Sequence, residues 1–139
     1  RSSSAASDVY KRQICYSLIR ANARKLKLIN RNTTKLNLLV NKLKNLKSNT
    51  EILIDDFSDY DISEYDYVLN ATSLGLKDNK DLIFDVKKTR TNCTIIDIVM
   101  DPEETILIKE AIKYKRNYHL GKNMLESQVK LAGNFFNLW

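Results

Sequence analysis

A chain of 139 residues is long enough for one domain that buries roughly two-thirds of its unfolded surface, and 43% hydrophobic residues supply a core. No apolar run approaches the length of about 18 residues that crosses a bilayer, so neither a span nor a membrane partner is expected. The formal charge of +6 opens a nucleic-acid reading, because clustered Lys and Arg release counterions from phosphate backbones. Many of the lysines, however, alternate with Asn on expected helix surfaces. A Lys-, Asn- and Ile-rich composition accounts for the charge, and no nucleic-acid partner is expected. Cys15 and Cys93 are isolated, and His119 is the only further soft ligand. Neither a disulfide framework nor a metal site is supported, and a reducing cytoplasm fits.

The chain opens with RSSSAASDVYKRQ, Arg1 to Gln13, which shows neither strand alternation nor a helical stripe. It resembles translated adaptor sequence, so residues 1–13 are expected to be a non-native or disordered leader and residues 14–139 the domain proper. The apolar spacing of Ile14, Leu18 and Ile19 predicts a helix over about 14–22, followed by a strand over Lys25 to Ile29. A helix from about Thr33 to Lys47 carries Leu36, Leu39, Val40, Leu43 and Leu46 at three-and-four spacing, one buried stripe with Lys35, Lys42, Lys44 and Lys47 largely off it. Short strands are expected at Glu51 to Ile54, Tyr67 to Leu69 and Thr94 to Val99, the last apolar enough to be covered on both faces. Asp101 as cap, Pro102 at the first helical position, and Glu103 and Glu104 in the first turn predict a helix start there, with Lys113, Lys115 and Arg116 at its other end. A last helix is expected over about Asn123 to Asn137, with Gln128 as a polar amide on its apolar face. Strands that alternate with helices define an α/β class with a parallel sheet.

In such a sheet the residues just past a strand's carboxyl end face the ligand, and LINRNTTK, Leu28 to Lys35, occupies that position. An acidic residue there takes the ribose hydroxyls of NAD, whereas Arg accommodates the 2′-phosphate of NADP. The stretch has Arg31 and no acid. Its guanidinium can make paired hydrogen bonds to phosphate, Asn30 adds an amide donor and Lys35 a point charge, so NADP is the cofactor expected. An ordinary solvated charge at a strand end is the alternative for Asn-Arg taken alone.

Three further stretches, NATSLG (70–75), DIVMDPEETILI (97–108) and GKNMLESQ (121–128), together with ICYSLIRANARKLKLINR, resemble the NADP-binding half of the shikimate dehydrogenases from residue 13 to 139. The family's runs there are Asn-Ala-Thr-Ser, Asp-x-x-Tyr-x-Pro-x-x-Thr and Gly-x-x-Met-Leu-x-x-Gln. The resemblance implies a Rossmann-like parallel sheet with flanking helices, and an NADPH-dependent reduction of 3-dehydroshikimate to shikimate in aromatic amino-acid biosynthesis. It also implies a small-molecule substrate and a monomer or homodimer. It makes Asn30, Arg31, Asn32 and Lys35 an adenosine-phosphate clamp, with Asn32 where Thr is usual, and it puts Thr72 near the cofactor ribose. A turn in which Asn70, Thr72 and Ser73 satisfy their own backbone is the alternative reading of that stretch. Ile98 and Gly121 match positions at the nicotinamide, the glycine because a bare backbone approaches the ring closely. Gln128 matches the glutamine that bonds the substrate's hydroxyls, and Met124 and Leu125 match core positions with an edge toward the nicotinamide.

Two departures stand out. Met100 replaces the usual substrate-contacting Tyr, which removes a hydroxyl. The family's first strand and Gly-rich phosphate loop, expected before Ile14, are replaced by SDVYKRQ, and the substrate domain with the family's catalytic Lys and Asp has no counterpart in these residues. The expectation is therefore a fold truncated at its front, with no catalytic residue of its own. Two rivals remain. A module of another dehydrogenase, such as a quinate enzyme or a glutamyl-tRNA reductase, would lack the Met-Leu-x-x-Gln ending. A basic nucleic-acid-binding domain would bind with a steep salt dependence.

Overall fold

The computed structural model describes residues 2–74, 81–124, 126, 127 and 133, with side chains from residue 9 onward. The chain divides into two compact units, Arg1–Asp61 and Ile62–Trp139.

The first unit runs α1 (Ser2–Arg20), β1 (Lys25–Ile29), α2 (Thr33–Lys44) and β2 (Glu51–Asp55). Strands β1 and β2 pair in parallel, Leu26 against Ile52 and Leu28 against Ile54. Residues 2–13, expected to be a leader, form the first turns of α1. Their Ser- and Ala-rich sequence is compatible with helix but carries no apolar period, and it gave no signal for that reason. Among its described side chains the buried ones are Cys15 and Ile19, four apart; Ile19 is buried as the spacing predicts, whereas Ile14 is half-buried and Leu18 stays 37% exposed, and Cys15 completes the stripe in their place. The helix ends with Asn22 in the left-handed region (φ 58°), where the Ala23 N–H reaches the Leu18 carbonyl and the Asn22 N–H reaches that of Ile19. This six-to-one closure suits Asn, which tolerates positive φ. On α2, Leu36, Val40 and Leu43 are buried and Leu39 and Leu46 half-buried, as the spacing predicts, although the helix closes at Lys44 rather than Lys47. Cys15, Ile19, Leu26 and Leu43 make the buried core of this unit, with Tyr16, Leu28, Leu39, Leu46 and Ile52 packed against it.

The second unit contains β3 (Tyr67–Asn70), a single 3-10 turn (Val86–Lys88), β4 (Thr94–Asp97), α3 (Ile106–Lys113) and β5 (Asn117–His119). The sheet order is β3-β4-β5, all parallel. Fully buried Val86, Cys93, Ile95, Ile108 and Ala111 form its centre. One expectation fails here, and one strand was not expected. Helix α3 does not begin at Asp101: residues 101–104 are bends, the Asp101–Pro102 peptide is cis, and Thr105 is the cap, its hydroxyl accepting the Ile108 N–H at 3.3 Å. Thr105 prevails because its hydroxyl is buried and bonded to a carboxylate, a contact that no local pattern reveals. Strand β5 has no sequence signature, being three exposed residues entered directly from Lys115, which takes a positive φ of 54° and closes α3 through the Arg116 N–H to the Ala111 carbonyl. Helical backbone resumes at Gly121, two residues before the position expected for the last helix, most of which lies outside the described residues.

Both sheets are thus parallel with flanking helices, as the class requires. Among the described residues no helix is long and apolar enough to cross a membrane, and no group of three or more His, Cys, Asp and Glu side chains is gathered to hold a metal ion.

Candidate functional site

In the first unit the polar residues gather where β1 hands over to α2. The chain turns at once, because the Asn30 side-chain oxygen accepts the Asn32 N–H at 3.2 Å. Asn32 then caps α2 in extended conformation, its side-chain oxygen accepting the Lys35 N–H at 3.0 Å. Between them Arg31 stands exposed beside the positive end of a 12-residue helix whose first turn holds no acid. Its guanidinium carbon lies 4.7 Å from the centroid of the Phe57 ring, and it has no carboxylate partner among the described residues. The nearby acid at the end of β2, Asp55, is tied to Lys27 at 2.6 Å. The arrangement is cationic and furnished with donors, suited to a phosphate.

In the second unit the carboxyl ends of β3 and β4 carry a buried polar network. The Asn70 side-chain amide donates to Asp97 Oδ1 at 3.1 Å and to the Leu74 carbonyl at 3.0 Å. Its oxygen accepts from the Thr72 hydroxyl at 2.6 Å and the Thr72 N–H at 3.0 Å, and the Thr72 hydroxyl in turn accepts the Leu74 N–H. Asp97 also accepts the Val99 N–H at 3.0 Å and, through Oδ2, the Thr105 hydroxyl at 2.7 Å. Asn70, Asp97 and Thr105 are each at most 1% exposed. Burial pushes the Asp97 carboxyl above its ordinary value, against the pull of the Thr105, Val99 and Asn70 donors. The network fixes the loop from Ile98 to Glu104 onto the strand ends. A glycine then seats on that loop: a Cβ on Gly121 would stand 2.6 Å from both the Ile98 and Val99 carbonyl oxygens.

Asn30, Arg31, Asn32 and Lys35 therefore stand together at one helix start. Thr72, Ile98 and Gly121 are linked through Asn70, whose carbonyl accepts the Ile98 N–H at 3.2 Å. Met100 is 46% exposed on the loop, and Met124 is half-buried. Gln128 and Leu125 lie outside the described residues. The close approach that Gly121 makes among the described residues is to the chain's own carbonyls. The turn reading of Asn70 and Thr72 is realised in their hydrogen bonds. Asp97 and Thr105 stand at fixed positions of the run Asp-x-x-Tyr-x-Pro-x-x-Thr, but no role was expected of them, and Phe57 was not singled out from sequence; the only available signal for Phe57 was an aromatic residue two positions past a strand end. Both cysteines are free and buried, and burial pushes the Cys15 thiol up to about 11 and raises that of Cys93.

Parallel strands with polar residues collected at their carboxyl ends define a Rossmann-like architecture. Solved structures share that fold. Quinate dehydrogenase from Corynebacterium glutamicum in complex with NAD matches with a TM-score of 0.74 at 24% identity, over 82% of this chain and 41% of that one. Shikimate 5-dehydrogenase from Listeria monocytogenes in complex with shikimate and NAD matches with 0.73 at 20% identity, over 81% and 42%. By sequence the chain resembles the shikimate dehydrogenases: it is 32% identical over 131 residues to the shikimate dehydrogenase (NADP(+)) of Methanococcus maripaludis, covering 92% of this chain and 45% of that protein. The chain spans about half the length of the curated relatives it matches. No protein-family model matches it.

Proposed function

We propose that this chain is the NADP-binding part of an NADP-dependent shikimate dehydrogenase, and that the complete protein carries out the NADPH-dependent reduction of 3-dehydroshikimate to shikimate. The observation that carries the reading is Arg31, exposed at the carboxyl end of β1 beside the N-terminus of α2, with no carboxylate to neutralise it among the described residues. When bound, the nicotinamide supplies the hydride; the protein contributes binding and orientation. Arg31 takes the 2′-phosphate through paired N–H donors, Asn30 and Lys35 add a donor and a charge, and Asn32 fixes the turn that presents them. In the second unit Ile98 and Gly121 give the nicotinamide a compact surface, held in place by the Asp97 and Thr105 bonds, and Thr72 meets the ribose. Met100 and Gln128 are assigned to the substrate. The family's proton-handling Lys and Asp belong to a part that these residues do not match, so the chain alone is expected to bind nucleotide without turnover.

Calorimetric titration with NADP and NAD tests the reading. Arg31→Ala should weaken NADP by roughly ten- to a hundredfold, the worth of about 1.5–3 kcal/mol for a charged hydrogen bond, and leave NAD nearly unchanged. An equal loss for both nucleotides removes the 2′-phosphate role.

A further inference from the structure

Phe57 sits at the second position of a four-residue turn that follows β2 directly. The Asp59 N–H bonds the Asp56 carbonyl at 3.2 Å, and Asp56 and Asp59 form an isolated bridge. The Asp56 carboxylate accepts the Ser58 N–H at 2.8 Å and the Ser58 hydroxyl at 2.5 Å, which holds that carboxyl below its ordinary range. The Tyr60 ring packs against Phe57 at a centroid distance of 6.0 Å, inclined by 45°. The half-buried ring is therefore fixed by its own turn and by Tyr60, independently of Arg31, which rests its guanidinium carbon over it at 4.7 Å.

An exposed arginine on a flexible stem samples many rotamers, and a ligand that uses it must stop that motion. A ring beneath the guanidinium carbon restrains it in the free protein, while its N–H groups remain available for hydrogen bonds to an anion. We infer that Phe57 is the positioning residue for Arg31, and that through it Phe57 sets the preference for adenine nucleotides bearing a 2′-phosphate. The inference rests on the cofactor reading above and assigns it a residue that neither composition nor spacing marked.

The test is a set of NADP and NAD dissociation constants for the full chain as wild type, Phe57→Ala, Phe57→Leu, Phe57→Tyr, Arg31→Ala and the Arg31→Ala/Phe57→Ala double variant, with thermal midpoints to check folding. Phe57→Ala and Phe57→Leu should weaken NADP by about two- to fivefold, the size of an exposed cation–π contact, and spare NAD. Phe57→Tyr keeps the aromatic face and should bind like wild type. The double variant should be no weaker than Arg31→Ala, because the ring acts only through the arginine. Equal weakening of both nucleotides, full NADP affinity in Phe57→Leu, or additive losses in the double variant overturns the positioning role. Full NADP affinity in Phe57→Ala beside a loss in Arg31→Ala overturns it too, while the cofactor reading stands. An unchanged NADP-to-NAD ratio in Arg31→Ala overturns the cofactor reading and the inference with it.

Discussion

At the end of β1 the polar groups are exposed and held by neighbours two or three residues away, Asn30 to Asn32 and Asn32 to Lys35. At the ends of β3 and β4 they are buried and bonded across the chain, Asn70 to Asp97 over 27 residues and Asp97 to Thr105 over 8. The first arrangement is a local turn that presents charge to solvent and can be altered with little damage to the fold. The second is a set of satisfied buried groups, in which removing one partner costs each of the others a bond in a medium that does not replace it. The same chain therefore builds one region whose chemistry is in its side chains and another whose chemistry is in the backbone geometry it fixes.

The largest effect expected from this contrast is at Asp97. Asp97→Ala leaves the Val99 N–H and the Thr105 hydroxyl without their acceptor and the Asn70 amide with only the Leu74 carbonyl, and should cost about 3 kcal/mol or more in urea unfolding. A loss below about 1 kcal/mol would mean that water replaces the carboxylate and that the region is not sealed. Gly121→Ala comes next, at about 2–3 kcal/mol, because the new methyl meets two backbone carbonyls rather than a flexible side chain. Wild-type stability in that variant would show that the 121 backbone and the 98–99 loop are free to move apart. On the other side of the comparison, Asn32→Ala should cost only about 1 kcal/mol, the loss of one helix cap, and Asn32→Ser should restore it.

The smallest effect is a pH dependence. Burial raises the Asp97 carboxyl, so the folded chain holds this proton more tightly than the unfolded one. Its contribution to stability is greatest below the ordinary carboxylate value, falls as pH rises through the window between that value and the raised one, and is flat above. Asp97→Asn should remove this slope from the stability profile. An identical slope in the variant would assign the dependence to other carboxylates.

Sequence and structure agree where the determinants are local. The α2 stripe of Leu36, Val40 and Leu43 was legible because a helix repeats its buried face every three or four residues, and the strand at Lys25–Ile29 because its apolar run is bounded on both sides. Where a second good signal competed, the local reading lost. Asp101, Pro102 and Glu104 look like a helix start, yet Thr105 caps α3 because its hydroxyl reaches a buried carboxylate eight residues earlier. Strand β5 was illegible for a related reason: three exposed residues carry no pattern, and parallel pairing of Ile95 with Tyr118 and Ile96 with His119 is what makes them a strand.

By itself the sequence determined the parallel α/β class, the core face of α2 and the cationic turn of Asn30, Arg31 and Asn32, since each depends on residues within a few positions of one another. Only the tertiary structure decided that Phe57, 26 positions beyond Arg31, lies under its guanidinium, that Asp97 joins Asn70 to Thr105, and that Gly121 seats against the Ile98 and Val99 carbonyls. Those contacts join residues that neither helical nor strand periodicity brings together, and they exist only once the chain has closed on itself.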